Sequence, residues 1–219
     1  MRPVGDHAAL LELPDNATVQ VAARLARERL GAQLVEVVPG HSTLLLVWDE
    51  GLEDAAALES NLKALAGDAS AFKLDSRVIG KAPPPEVTVP VRYDGADLDA
   101  VAATLDVSTE ALVELHCGAT YTVAFMGFSP GFPYLIAEGG VEGVGGAVER
   151  LLALPRLETP RTEVLAGSVA VAAGYCGIYP RSSPGGWNLL GRTEVVLFDV
   201  RREPPALLEP GTRVRFESI

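Results

Sequence analysis

Between positions 116 and 193 the chain is punctuated by phrases that a helix interior rejects and a central strand rarely accepts. Residues 127–135 read Gly-Phe-Ser-Pro-Gly-Phe-Pro-Tyr-Leu, residues 155–161 Pro-Arg-Leu-Glu-Thr-Pro-Arg, and residues 178–187 Ile-Tyr-Pro-Arg-Ser-Ser-Pro-Gly-Gly-Trp. Proline fixes φ and lacks an N–H, while glycine opens backbone conformations closed to other residues. This spelling limits the region to short strands joined by rigid turns. The aromatic and arginine residues interleaved with it mark loops shaped for binding.

A second constraint is the run Pro83, Pro84 and Pro85, which belongs inside neither a helix nor a central strand. It divides the chain into residues 1–82 and 86–219. In the first part, residues 8–13 read as a strand closed by Pro14. Asn16 caps a helix whose apolar positions Val19, Ala22, Ala23, Ala26 and Leu30 share one face, and Gly31 stops it. Residues 34–38 and 44–48 form a hairpin across positions 39–42. A helix bearing Leu52, Ala55, Leu58, Leu62 and Leu65 and a strand at 77–79 follow. The order βαββαβ predicts a small ferredoxin-like α+β sandwich.

The second part opens with a strand at 86–93. Leu98, Val101, Ala102 and Leu105 mark a short helix, and Ser108 begins another that runs to about His116. Residues 121–128, 168–173, 194–199 and 212–216 read as strands separated by Gly/Pro phrases, the pattern of a barrel or sandwich. Residues 138–146 form a Gly-rich loop, and residues 148–154 add a helical turn.

Composition removes several function classes. A net charge of −11 opposes nucleic-acid binding, so the helical pair at 98–116 is read as a packed hairpin and not a DNA reader. The start of the chain lacks a signal-peptide pattern, and the apolar run at 44–48 is far too short to span a bilayer. Two cysteines, Cys117 and Cys176, make no disulfide framework, and the expectation is a cytoplasmic protein with reduced thiols. His7, His41 and His116 lie far apart in sequence, so no metal site is expected. No Gly-Lys-Ser/Thr follows the glycines at 139–146, and Glu142 would repel a phosphate; the chain carries no nucleotide motif.

The Gly-Phe-Ser-Pro-Gly stretch at 127–131 matches the spelling of a serine-hydrolase nucleophile elbow. The residue after such a serine must lend its N–H to the oxyanion hole. Here it is Pro130, which has none, so Ser129 is read as a turn residue that bonds backbone. Seven other side chains carry chemistry, Arg156 among them. His116 is either a general acid or base, or a core or capping histidine. Arg161 and Arg181 either clamp a carboxylate or are solvated charges. Ser183 and Trp187 either border a ligand or form a tight turn over the core, and Tyr121 stands close to His116 in sequence.

Together these phrases resemble the family of 5-oxoprolinase B subunits, also called allophanate hydrolase subunit 1 or the Kip-inhibitor family. The marks are His116 with Tyr121, the 127–135 phrase, Pro155-Arg156, Thr159-Pro160-Arg161, Ala166-Gly167-Ser168-Val169, Tyr179-Pro180, residues 183–187 and Gly191-Arg192-Thr193. The resemblance spans nearly the whole chain and is strongest from Tyr93 to Thr193. It implies a cyclophilin-like β-barrel after the ferredoxin-like domain, without implying prolyl isomerase activity. It implies an accessory enzyme component, inactive alone, that works beside a C-type 5-oxoprolinase chain (allophanate hydrolase subunit 2-like) and an A-type chain. The reaction it implies is the ATP-dependent opening of 5-oxo-L-proline to L-glutamate, ADP and phosphate. Allophanate or urea-pathway amide chemistry is one alternative; inhibition of a sensor histidine kinase is another. In this reading His116, Tyr121 and Arg161 are catalytic, and Phe128, Phe132, Tyr179, Arg181, Ser183 and Trp187 line the substrate. The sequence departs from the family at Val164-Leu165, at Tyr175-Cys176 and in a longer 137–154 loop. All three changes border the expected pocket, which is predicted to gather these residues in one concavity.

Overall fold

A computed structural model describes residues 1–49, 85–138 and 145–219. The chain divides into two compact units, Met1–Pro83 and Pro84–Ile219.

In the first unit, β1 (Arg2–Pro3), β2 (Ala8–Glu12), α1 (Asn16–Leu30), a 3-10 turn (Gly31–Gln33), β3 (Leu34–Pro39) and β4 (Thr43–Trp48) follow in order. The strands make an antiparallel sheet in the order β1-β2-β4-β3. The helix cap is Asp15 and not Asn16: its Oδ1 accepts from the Thr18 N–H at 2.9 Å and from the Thr18 hydroxyl at 2.8 Å. Asn16 instead begins the helix and donates to the carbonyls of Gly40 and His41, which ties α1 to the β3–β4 turn. Val19, Ala22, Ala23, Ala26 and Leu30 are buried as their spacing predicts, in one cluster with Leu11, Leu44 and Leu46 of the sheet. The helix expected around Leu52 to Leu65 and the strand expected at 77–79 lie outside the described residues.

In the second unit, β5 (Glu86–Val91) leads into α2 (Leu98–Leu105) and α3 (Thr109–Gly118). Then come β6 (Thr120–Met126), β7 (Pro133–Ala137), α4 (Gly145–Leu152), β8 (Arg161–Val164), β9 (Ser168–Ala172), β10 (Tyr175–Ile178), β11 (Ser183–Gly185), β12 (Asn188–Arg192) and β13 (Arg213–Ser218). Seven strands form a sheet in the order β12-β9-β10-β7-β6-β13-β5, antiparallel throughout except for the parallel β13–β5 pair. The two edges meet at an antiparallel bridge between Arg92 and Arg192, whose backbones exchange two hydrogen bonds of 2.9 Å. That bridge makes the sheet a nearly closed barrel. The short β8–β11 ribbon is a separate sheet.

The helices finish the barrel core. Ser108 caps α3 by accepting from the Ala111 N–H at 3.1 Å, and Asp106 ends α2 in the left-handed region at φ 57°. Leu98, Val101, Leu112, Val148, Leu151 and Leu152 pack with Val89, Val91, Val123, Leu135, Val171, Ile178 and Val214 of the strands.

One expected strand is absent. Residues 194–199 form no ladder and make only the isolated bridge Phe198↔Ala206. Val196 is exposed, while Leu197 is buried in the barrel core and Val195 packs against it.

Candidate functional site

Side chains alternate across a strand, so a barrel wall sorts its residues into an inner and an outer set. The inner set holds Tyr121 and Val123 of β6, Leu135 of β7, Val169 and Val171 of β9, Cys176 and Ile178 of β10, and Leu190 of β12. The outer set holds Tyr134, Ala170, Ala172, Tyr175 and Leu189, which cluster with Phe132, Val164, Tyr179 and Trp187. An irregularity in the β6–β7 register between Val123 and Phe125 turns Phe125 outward, where it stacks on Tyr134 at a centroid distance of 4.4 Å.

This wall corrects the expectation of one concave site. His116 and Tyr121 lie inside the barrel, both with no solvent exposure. His116 Nδ1 is 2.7 Å from the Tyr93 hydroxyl and Nε2 is 3.4 Å from Cys176 Sγ. The Tyr93 hydroxyl also lies 3.3 Å from Cys117 Sγ, and the Tyr121 hydroxyl donates to the His116 carbonyl at 3.2 Å. Phe216 packs on the imidazole at 4.4 Å between centroids. Burial holds the His116 imidazole neutral, with its pKa lowered to about 3, and raises the Tyr121 and Cys176 pKa values. Both rings are enclosed by these neighbours, on the other side of the wall from the remaining candidates.

The remaining candidates gather on the outer face. Phe132 stands at their centre, edge-on to Tyr179 (5.2 Å), Trp187 (5.6 Å) and Phe128 (5.4 Å) and tilted against Tyr134 (5.1 Å). The cluster needs a bare backbone beneath it: a Cβ on Gly177 would lie 2.9 Å from both the Phe132 and Trp187 rings. Phe128 projects from this cluster, 62% exposed and at φ 61°, a conformation uncommon for a bulky residue.

The loop that holds Phe128 is a tight turn between two strands. The Ser129 N–H donates to the Gly127 carbonyl and the Phe132 N–H to the Ser129 carbonyl. Then β7 begins at Pro133, so no helix follows Ser129 as a nucleophile elbow requires. The turn is bonded through backbone; the buried Ser129 Oγ, like the Ser183 Oγ, has no hydrogen-bond partner among the described residues. That departs from the expected side-chain bond of Ser129.

Two arginines, Arg156 and Arg161, border this face, and Arg181 lies in the loop between β10 and β11. Arg161 is an internal strut. Its guanidinium pairs with Asp97 at 2.6 Å and reaches the Trp187 carbonyl at 3.4 Å, while the same Asp97 accepts from the Leu189 N–H at 2.7 Å. With its charge met by Asp97, Arg161 is not the free clamp that a substrate carboxylate needs. Arg156 and Arg181 are exposed and have no ion pair among the described residues. Arg156 lies near enough to the Tyr134 and Tyr179 hydroxyls to oppose the upward pKa shift that burial gives both.

Sequence reasoning left out Phe125, Tyr134 and Tyr175 of this face, and Asp97. For Tyr134 the signal was present, since it alternates with the inward Leu135. Among the described residues no group of three or more His, Cys, Asp or Glu is placed to hold a metal ion, and no helix is long and apolar enough to cross a membrane.

Residues 1–208 match the family described as carboxyltransferase domain, subdomain C and D. The chain belongs to this family. Within it, the chain is similar to the 5-oxoprolinase B subunit of Escherichia coli O157:H7, with 36% identity over 97% of this chain and 93% of that protein. It is similar to the 5-oxoprolinase B subunit of Bacillus subtilis (strain 168), with 30% identity over 99% of this chain and 91% of that protein. The crystal structure of TTHA0988 superimposes with a TM-score of 0.75 and 36% identity over 98% of this chain. This chain spans 40% of the length of TTHA0988.

Proposed function

We propose that the chain is the B-type subunit of an ATP-dependent 5-oxoprolinase, acting with C-type and A-type partner chains to convert 5-oxo-L-proline, ATP and water to L-glutamate, ADP and phosphate. The observation that carries this reading is likeness to 5-oxoprolinase B subunits over nearly the full length of both chains. The outer aromatic face suits the part. Phe128, Phe132, Tyr179 and Trp187 form an apolar floor, and Arg181 and Arg156 supply unpaired positive charge. A small lactam carboxylate needs that combination: apolar walls to exclude water and a guanidinium to meet the carboxylate.

ATP finds no phosphate-cradling motif in the sequence, so its binding falls to a partner. The isolated chain is accordingly silent, and chemistry begins only in the assembly. The test is to purify the chain alone and reconstituted with its partners, then measure glutamate release and 5-oxoproline-dependent ATP hydrolysis. Activity in the assembly alone is expected. Full activity from this chain, no association at micromolar concentration, or turnover of allophanate in place of 5-oxoproline overturns the reading.

A further inference from the structure

Arg156 stands between two hydrogen bonds that tie its segment to the one carrying Trp187. The Pro155 carbonyl accepts from Asn188 Nδ2 at 3.0 Å, and the Leu157 N–H donates to the Gly186 carbonyl at 2.7 Å. Asn188 Nδ2 also donates to the Val171 carbonyl at 3.1 Å, so the tie runs into β9 of the barrel wall. The Arg156 backbone belongs to no helix or strand, yet it is fixed beside the aromatic cluster.

Its side chain is exposed and makes no ion pair among the described residues; Glu158 on the same segment is exposed and does not pair with it. Arg161 by contrast is met by Asp97 at 2.6 Å, and Arg181 stands on another loop. Burial raises the Tyr134 and Tyr179 hydroxyl pKa values, and the Arg156 charge opposes the rise at each. The guanidinium therefore lies at the hydroxyl edge of the cluster. Tyr134 is half-buried there, with Phe125 stacked on its ring at 4.4 Å and Tyr175 edge-on at 5.4 Å. Its hydroxyl proton has no acceptor among the described residues. An uncompensated guanidinium on a fixed backbone and a free phenol donor on a fixed ring suit a small carboxylate, which accepts at both oxygens.

We propose that Arg156 is the residue that binds the substrate carboxylate, with the Tyr134 hydroxyl as its second donor. The inference rests on the 5-oxoprolinase reading for the identity of the substrate; the class of ligand, a small carboxylate, follows from the two donors.

The test is equilibrium binding without ATP to the full chain reconstituted with its partners. The probes are 5-oxo-L-proline and 2-pyrrolidinone, the same lactam without the carboxylate. Wild type is expected to favour 5-oxoproline. Arg156→Gln should weaken 5-oxoproline binding at least about tenfold and leave 2-pyrrolidinone binding unchanged. Arg156→Lys should fall between the two, keeping the charge without the planar fork, and Tyr134→Phe should cost about threefold. The Arg156→Gln chain should melt with wild type, because the guanidinium it loses makes no bond. Equal weakening of both probes, undiminished 5-oxoproline binding, a larger loss from Arg181→Gln, or a wild type that binds the two lactams alike would overturn the proposal. Allophanate also carries a carboxylate. An assembly that turns over allophanate and not 5-oxoproline sinks the 5-oxoprolinase reading; the site then stands if Arg156→Gln raises the KM for allophanate, and falls if it does not.

Discussion

The two faces of the barrel wall use similar side chains to opposite ends. Inside, His116, Tyr93, Tyr121, Cys176 and Phe216 form a sealed cluster in which the imidazole has a partner at each nitrogen. Outside, Phe128, Phe132, Tyr134, Tyr179 and Trp187 form a cluster whose foremost ring faces solvent in a left-handed conformation. The inner set satisfies its polar groups and excludes water; the outer set leaves two serine hydroxyls without partners and two arginines without acids among the described residues. Residue type therefore does not distinguish the two faces. The state of each group does: strained and partly unpaired on one side, paired and sealed on the other.

The contrast is most exposed to test by acid. His116 titrates with a folded pKa lowered to about 3 by burial, against an unfolded value near 6.5. Its neutral form belongs to the fold, so its contribution is complete above pH 6.5 and is lost as pH falls from 6.5 toward 3. At about 1.4 kcal/mol per pKa unit the loss reaches on the order of 4 kcal/mol. Denaturant unfolding from pH 8 to 3 checks this, with His116→Gln as the reference that lacks the titration. Glu138, whose carboxyl is held low by Arg213 and Thr122, also loses stability in acid, and the difference between the two proteins removes its share. Equal pH slopes would break the account of a sealed interior.

At neutral pH, His116→Ala is expected to cost about 3 kcal/mol or more, because it leaves a cavity and strands the Tyr93 hydroxyl. Turnover per folded assembly should be unchanged; loss of turnover without loss of stability would return His116 to catalysis. Next in size is the strut between Arg161 and Asp97. A double-mutant cycle on Arg161→Ala and Asp97→Ala, read by denaturant midpoint, should give a coupling of about 1–2 kcal/mol. Smallest in stability is Phe128→Gly. Relief of left-handed strain offsets the lost ring packing, leaving stability within about 1 kcal/mol of wild type. The same variant should lower turnover of the reconstituted enzyme at least about tenfold, about 1.4 kcal/mol in the barrier. Undiminished turnover would remove the outer face from function.

Much of this was legible in the sequence where one period dominates. The helical stripe of α1 is buried as read, and the strand read at 168–173 is β9. The side of the wall was also partly legible, since His116 stands four residues after the buried Leu112 on one face of α3. Its pairing with Tyr93 and Cys176 was not, because those contacts span 23 and 60 residues of sequence. The β9–β10 hairpin hid behind Ala173, which occupies φ 53° beside Gly174 in a turn where asparagine or glycine is the usual signal. Conversely, the stretch 194–199 reads as a strand, yet its pairing is confined to the single bridge between Phe198 and Ala206. Charge pairing was equally silent: nothing local assigns Arg161 to Asp97, 64 residues away.

The position of β13 between β5 and β6 governs the order of assembly. Val214 lies opposite Tyr121 on one side and Val87 on the other, 93 (214 − 121) and 127 (214 − 87) residues away. In the first unit, by contrast, β3 and β4 are joined by a short turn and pair as soon as both exist. Contacts so distant in sequence carry a larger loop-closure cost and form late. Until β13 inserts, β5 and β6 each present an open row of backbone donors and acceptors, the template on which chains pair with one another. The nascent barrel thus passes through an interval of self-association risk, and insertion of one six-residue strand ends it.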